Sequence, residues 1–102
     1  VHNLHLPFVT FGHAGDGNIH PRIMYDRTDP DQVRALTDAA REIFELACGL
    51  EGTLTGEHGI GLAKAPYLGL EHDSVALEVM GSLKALFDPN NIMNPGKMGL
   101  DI

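Results

Sequence analysis

The sequence predicts an α+β fold: a β-hairpin, as part of an antiparallel sheet, followed by about three helices. Three observations carry that expectation. Two β-rich runs flank an Asp16-Gly17 pair, a strong signal for a tight chain reversal. Two later runs repeat apolar residues at helical spacing. Asp-Pro pairs at residues 29–30 and 88–89 punctuate them.

Residues 4–12 read as the first strand, rich in Leu, Phe, Val and Thr. Residues 18–25 read as the second. Pro21 has no N–H to give a neighbour, so it must lie on an edge or at a bulge. Asp29 is a candidate N-cap, Pro30 suits the first helical position, and Gln32 suits the capping-box position. Val33, Leu36, Ala40, Phe44 and Ala47 then form one apolar face, with Gly49 as the stop. Residues 52–55 are a short strand or loop. Residues 56–65 are expected to begin a short helix, capped by Thr55 and interrupted by Pro66. A third helix is expected over residues 73–87, with Val75, Val79, Leu83 and Leu86 on one face. Asp88-Pro89 ends it. Residues 90–102 look irregular, with a turn at Asn94-Pro95-Gly96.

The chain has 102 residues, the length of one modest domain, with 43% hydrophobic and 21% charged residues. A formal net charge of −7 argues against nucleic acid, which needs a basic footprint. It also argues against a polybasic membrane contact. No apolar run approaches the roughly 20 residues of a membrane span. The single cysteine, Cys48, precludes an internal disulfide and suits a reducing compartment. Val1 is not a natural initiator, so the expectation is a fragment or processed product. Six histidines are the unusual count.

If Asp16-Gly17 is a two-residue loop, His13 stands directly opposite His20. Opposed residues on one face have Cβ atoms about 4.5–5.5 Å apart. Two imidazoles at that separation can share a divalent ion. A shift of the turn by one residue is expected to separate them, because strand side chains alternate. Gly12, Gly15 and Gly17 leave space around both rings. Two unrelated polar residues on a hairpin remain the plainer alternative.

Glu57-His58, set among Gly56, Gly59 and Gly61, is a second constellation. Glu57 is a candidate third ligand, since sets of two histidines and a carboxylate leave positions open for substrate. His58 would then point elsewhere and suits proton abstraction. Alternatively, Glu57 only favours a helix N-terminus.

These segments resemble a known family. Residues 12–20, GHAGDGNIH, are similar to the G-H-x-G-D-G-N-x-H segment of the C-terminal domain of FAD-linked oxidases. Residues 56–61, GEHGIG, are similar to its G-E-H-G-x-G segment, and Lys64, Tyr67 and Leu68 continue the match. Residues 87–97, FDPNNIMNPGK, are similar to its terminal F-D-P-x-x-x-x-N-P-G-K. The family is the vanillyl-alcohol-oxidase type of flavoprotein. Its relevant branch holds the glycolate oxidase flavin subunit, D-lactate dehydrogenase and D-2-hydroxyglutarate dehydrogenase.

The resemblance implies a metal site of His13, His20 and Glu57, with zinc the usual divalent ion. It implies that His58 contacts substrate and acts as base, and that Asn94 lies beside FAD. The reaction implied is oxidation of a 2-hydroxy acid to a 2-oxo acid with hydride transfer to flavin. In 2-hydroxyglutarate dehydrogenases an asparagine two residues after the second histidine helps hold substrate. Arg22 stands there in this chain. Strand alternation puts it on the His20 face if Pro21 causes no bulge. It would bind a carboxylate, which leans toward a glycolate or D-lactate type; a solvent-facing arginine is the alternative.

No flavin-binding domain and no Gly-rich pyrophosphate loop is present, so residues 1–102 are expected to be a partial C-terminal domain that, alone, binds no FAD tightly and turns over no substrate. Implied partners are the missing FAD-binding domain and an iron-sulfur or other electron-acceptor subunit. The location expected is the cytoplasm or the periphery of the inner membrane through a partner. Exposed sheet edges suggest a homodimer of the fragment. A stand-alone metal-binding or assembly module without redox activity is the rival reading. His2 and His5 read as ordinary surface histidines, His72 as part of a helix N-terminus, Cys48 as packed, and Lys64 and Lys97 as solvated.

Overall fold

The computed structural model describes residues 5–100. Strands β1 (Phe8–His13) and β2 (Asn18–Ile23) lead into α1 (Pro30–Gly49), a 3-10 helix (Ala65–Leu70) and α2 (Ser74–Phe87). The α+β class expected from the sequence is what the chain adopts: one two-stranded antiparallel sheet, then helices. The expected strand start at residue 4 lies outside the described residues.

The hairpin register differs from the sequence expectation. His13 stands opposite Asn18, and His20 stands opposite Phe11. Residues 14–17 form the loop. The Asp16 N–H donates to the His13 carbonyl at 3.0 Å, and Gly17 takes the left-handed conformation at φ 66°. Asp16-Gly17 therefore closes the reversal rather than centring it. The loop centre moves by one residue, so each cross-strand partner moves by two. Two is the repeat of strand faces, so His13 and His20 stay on the same face as diagonal neighbours. The expected separation does not occur. Close approach of the strands requires Gly12, where a Cβ would stand 2.2 Å from the Asn18 carbonyl oxygen. Pro21 pairs with Thr10 in unbroken register, and in a two-stranded sheet its missing N–H can face outward.

The start of α1 follows its sequence. The Asp29 carboxylate accepts from the N–H groups of Asp31 at 2.9 Å and Gln32 at 3.3 Å, and Pro30 opens the helix. The Gln32 side chain donates to Asp29 at 3.1 Å and accepts from the Asp26 N–H at 2.8 Å. The end of α1 departs from expectation. Gly49 remains helical, and Glu51 takes the left-handed position at φ 61°. Gly52 N–H then reaches back to the Ala47 carbonyl at 2.8 Å, and Glu51 N–H to that of Cys48 at 3.1 Å, which is the Schellman pairing.

Residues 56–64 form turns, not the expected helix. Gly56, Gly59 and Gly61 hold φ values of 57°, 76° and 56°, which no right-handed helix accommodates. Pro66 does not interrupt a helix; it sits in the first turn of the 3-10 helix, where no N–H is needed. α2 starts as expected, with the Asp73 carboxylate accepting from the Ala76 N–H at 2.8 Å.

The core lies between α1, the glycine turns and the 3-10 helix. Leu54, Ile60 and Leu68 are buried, packed by Phe44, Cys48, Tyr67, Leu77 and Met98. The C-terminal segment closes over it, the Met98 N–H donating to the Gly61 carbonyl at 2.7 Å. α2 turns Leu77 and the buried Gly81 inward. Its apolar stripe of Val75, Val79, Leu83 and Leu86 is instead half or more exposed. The radius of gyration is 15.8 Å, against about 13 Å for a compact unit of this length, so the arrangement is open.

Candidate metal centre

The hairpin face that carries His13 and His20 meets the glycine turn at Glu57. The Glu57 Oε2 atom lies 3.3 Å from His13 Nε2 and 3.9 Å from His20 Nε2. Ligand atoms of all three residues lie within 4.8 Å of one another. Donors held about 2.0–2.1 Å from a zinc ion at tetrahedral angles stand roughly 3.3 Å apart. His13 and Glu57 already have that spacing; His20 stands farther off, 3.9 Å from Glu57, and its ring must move inward to complete the set. Two imidazoles and one carboxylate, with the cluster open to solvent, fit a divalent ion that keeps a free position.

The other carboxylate oxygen is also engaged. Glu57 Oε1 lies 3.2 Å from Nε2 of His58. His58 therefore does not point away, as adjacency in sequence suggested; it folds back beside the cluster, its ring centroid 6.3 Å from that of His20. A carboxylate only accepts, so a neutral His58 contacting it carries its proton on Nε2 and presents Nδ1 as acceptor.

The His20 ring stacks on Phe11 at 5.4 Å, and the Arg22 guanidinium lies over the same Phe11 ring at 5.5 Å. Arg22 thus occupies the His20 face, and no salt bridge engages it among the described residues. Asn94 lies in the exposed C-terminal turn, and no hydrogen bond, ion pair or ring contact ties it to the cluster among the described residues. Lys97 is exposed, with Nζ 3.4 Å from the Pro95 carbonyl.

Of two residues that the sequence reading left without a role, one contacts Glu57 and the other braces the chain leading to it. Asn18 donates from Nδ2 to Glu57 Oε2 at 2.6 Å. Lys64, expected to be solvated, is half-buried and donates to the carbonyls of Leu54 at 2.7 Å and Thr55 at 3.0 Å. Burial pushes the Lys64 ammonium below the ordinary lysine range. Its nitrogen also lies 5.8 Å from the Phe44 ring centroid. Both residues belong to the quoted motifs; their side-chain partners, far apart in sequence, were the hidden part. His72 Nε2 stands 4.0 Å from Glu71, away from the cluster, and Cys48 is half-buried against the core as expected. His2 lies outside the described residues.

A hairpin docked on a glycine turn, presenting imidazoles around one carboxylate, defines a small α+β unit with a candidate metal-binding face. The family model for "FAD linked oxidases, C-terminal domain" matches residues 1–98, and the chain belongs to that family. The glycolate oxidase subunit GlcD of Bacillus subtilis is 53% identical over 93 residues, covering 91% of this chain and 20% of the relative. A protein of Danio rerio named "Probable D-lactate dehydrogenase, mitochondrial" is 47% identical over 87 residues, covering 85% and 18%. The D-2-hydroxyglutarate dehydrogenase of Stutzerimonas stutzeri is 40% identical over 92 residues, covering 88% and 20%. The chain spans about a fifth of the length of these relatives.

Proposed function

We propose that this chain supplies the metal- and substrate-binding part of an FAD-dependent dehydrogenase of small 2-hydroxy acids, of glycolate or D-lactate type. The observation that carries the reading is the convergence of His13, His20 and Glu57 ligand atoms within 4.8 Å. These three residues would hold a divalent ion, zinc by the chemistry of the donor set. Such an ion, when bound, supplies Lewis-acid polarisation of the substrate oxygens. FAD, when bound, supplies the electron acceptor, and its binding is proposed to rest mainly on sequence outside the matched fifth of the relatives, with Asn94 as a contact from this chain.

The chain's own residues divide the remaining work. Arg22 offers a planar pair of donors to a substrate carboxylate on the His20 face. Phe11 contacts both the guanidinium and the imidazole and ties them to one patch of the hairpin face. His58 takes the 2-hydroxyl proton at Nδ1, while Glu57 Oε1 holds its Nε2 and sets the ring orientation. The exposed apolar stripe of α2 and the open hairpin edges support packing against the flavin-binding part of the enzyme.

The test is metal analysis of the purified protein with its His13→Ala and Glu57→Ala variants, together with flavin bleaching by glycolate or D-lactate in an enzyme that joins this chain to the flavin-binding part. Expected are stoichiometric metal in the parent, its loss in both variants, and bleaching by a 2-hydroxy acid in the joined enzyme; this chain alone is expected to hold no FAD tightly and to turn over no substrate. Unchanged metal in the variants removes the proposed site. Stoichiometric metal with no flavin chemistry favours a metal-binding module instead.

A further inference from the structure

We infer that Asn18 is the positioning residue of the site: it selects which oxygen of Glu57 faces the two histidines. The inference rests on the metal-site reading above and concerns how the carboxylate is aimed. Glu57 comes from a turn, and the histidines come from the hairpin. A glutamate side chain has three rotatable bonds, so its approach to an ion depends on what restrains its end. Asn18 Nδ2 lies 2.6 Å from Oε2, the same oxygen that stands 3.3 Å from His13 Nε2. The orientation of the amide is fixed by chemistry. A carboxylate can only accept, so the asparagine atom against it is the NH2 group. The amide oxygen then lies on the Gly56 side, 3.7 Å from where a Cβ would stand there, which places the amide against the turn.

The position of Asn18 in the hairpin makes this contact rigid. It is the residue paired with His13 at the end of the ladder, and it is half-buried, unlike the other residues of the loop tip. One strand position thus sets both His13 and the carboxylate partner of His13. With Oε2 held by Asn18 and Oε1 beside His58, each oxygen of Glu57 has one assignment. Oε2 would be the oxygen offered to a bound ion, and Oε1 is left to the imidazole. Partners that orient ligands in this way contribute roughly 10–100-fold to metal affinity.

The experiment compares the wild-type protein with Asn18→Ala and the volume-conserving Asn18→Leu. Zinc affinity is read by competition with a chromogenic chelator. Site geometry is read from the visible spectrum of the cobalt(II)-loaded proteins, and fold from thermal unfolding of the metal-free proteins. Expected are a Kd for zinc raised about tenfold or more in both variants, and an altered cobalt spectrum as Glu57 reorients. Metal-free unfolding is expected to stay at the wild-type temperature. Wild-type affinity and spectrum in both variants would overturn the role of Asn18 and leave the site standing. So would a loss of metal-free stability that by itself accounts for the weakened binding, since Asn18 would then be hairpin support alone. A wild-type protein that binds neither zinc nor cobalt would sink the site and this inference together.

Discussion

Replacing Lys64 by methionine tests whether the glycine turn is held by a half-buried ammonium. Methionine keeps the stem against the core and removes the charged donor. The Nζ atom now reaches two carbonyls, those of Leu54 at 2.7 Å and Thr55 at 3.0 Å, and Leu54 is almost wholly buried. Hydrogen bonds from a charged donor contribute about 1.5–3 kcal/mol net, and burial of the ammonium takes part of that back, leaving about 2 kcal/mol for the pair. In a chain near 100 residues each kcal/mol moves the midpoint by about 4–8 °C, so Lys64→Met is expected to melt about 8–16 °C lower. Circular dichroism of the metal-free protein measures it. Zinc affinity should fall as well, because residues 54–56 carry Glu57. The depressed lysine also has a pH signature. Between its folded value and the ordinary lysine value, the unfolded chain binds the proton and the folded chain does not, so stability rises with pH there. Lys64→Met loses that rise. A Lys64→Met variant melting within about 3 °C of wild type, with unchanged zinc affinity, would refute the clamp.

Gly12→Ala places a methyl group 2.2 Å from the Asn18 carbonyl oxygen, a backbone clash that no side-chain rotation relieves. Chemical denaturation should show a loss of at least about 1–3 kcal/mol, the range for overpacking; wild-type stability would contradict the observed register. Asp88 is nearly buried, held by Lys84 and by the N–H groups of Ile92 at 3.0 Å and Met93 at 2.9 Å, and these partners keep its carboxyl below the usual range. Its contribution is complete above the ordinary carboxylate range and is lost as pH falls through the lowered value. A urea series from neutral to strongly acid pH should show this fall in wild type and a flatter acid limb in Asp88→Asn.

Helix starts were legible because their signals are local. Asp29 with Pro30, and Asp73 before α2, each satisfy N–H groups within the next turn. Helix ends and turns were less so. α1 runs past Gly49 because Glu51 accepts the left-handed position, and a glutamate there carries no compositional mark. In the turns after residue 55 the glycines are used at positive φ; composition alone does not tell that use from a permissive helix start. Periodicity found the stripe on α2 but not its direction. Leu77 packs on the core and Gly81 is buried, while the stripe faces outward.

The shared face of the two histidines was legible through parity rather than through the turn. In an antiparallel hairpin, His13 and His20 share a face whenever the loop has an even number of residues, whether the two of the sequence expectation or the residues 14–17 observed. A three- or five-residue loop, equally ordinary for hairpins, would put the imidazoles on opposite faces. The chain reversal could therefore be misplaced by one residue without losing the pair. Glu57 has no such protection, since nothing in sequence spacing brings a residue 39 positions from Asn18 to its amide. Its arrival depends on long-range packing of Leu54 and Ile60 on either side of it, on Lys64 beneath the turn and on Asn18 across from it. A change at any of these should move the carboxylate while leaving the two histidines side by side.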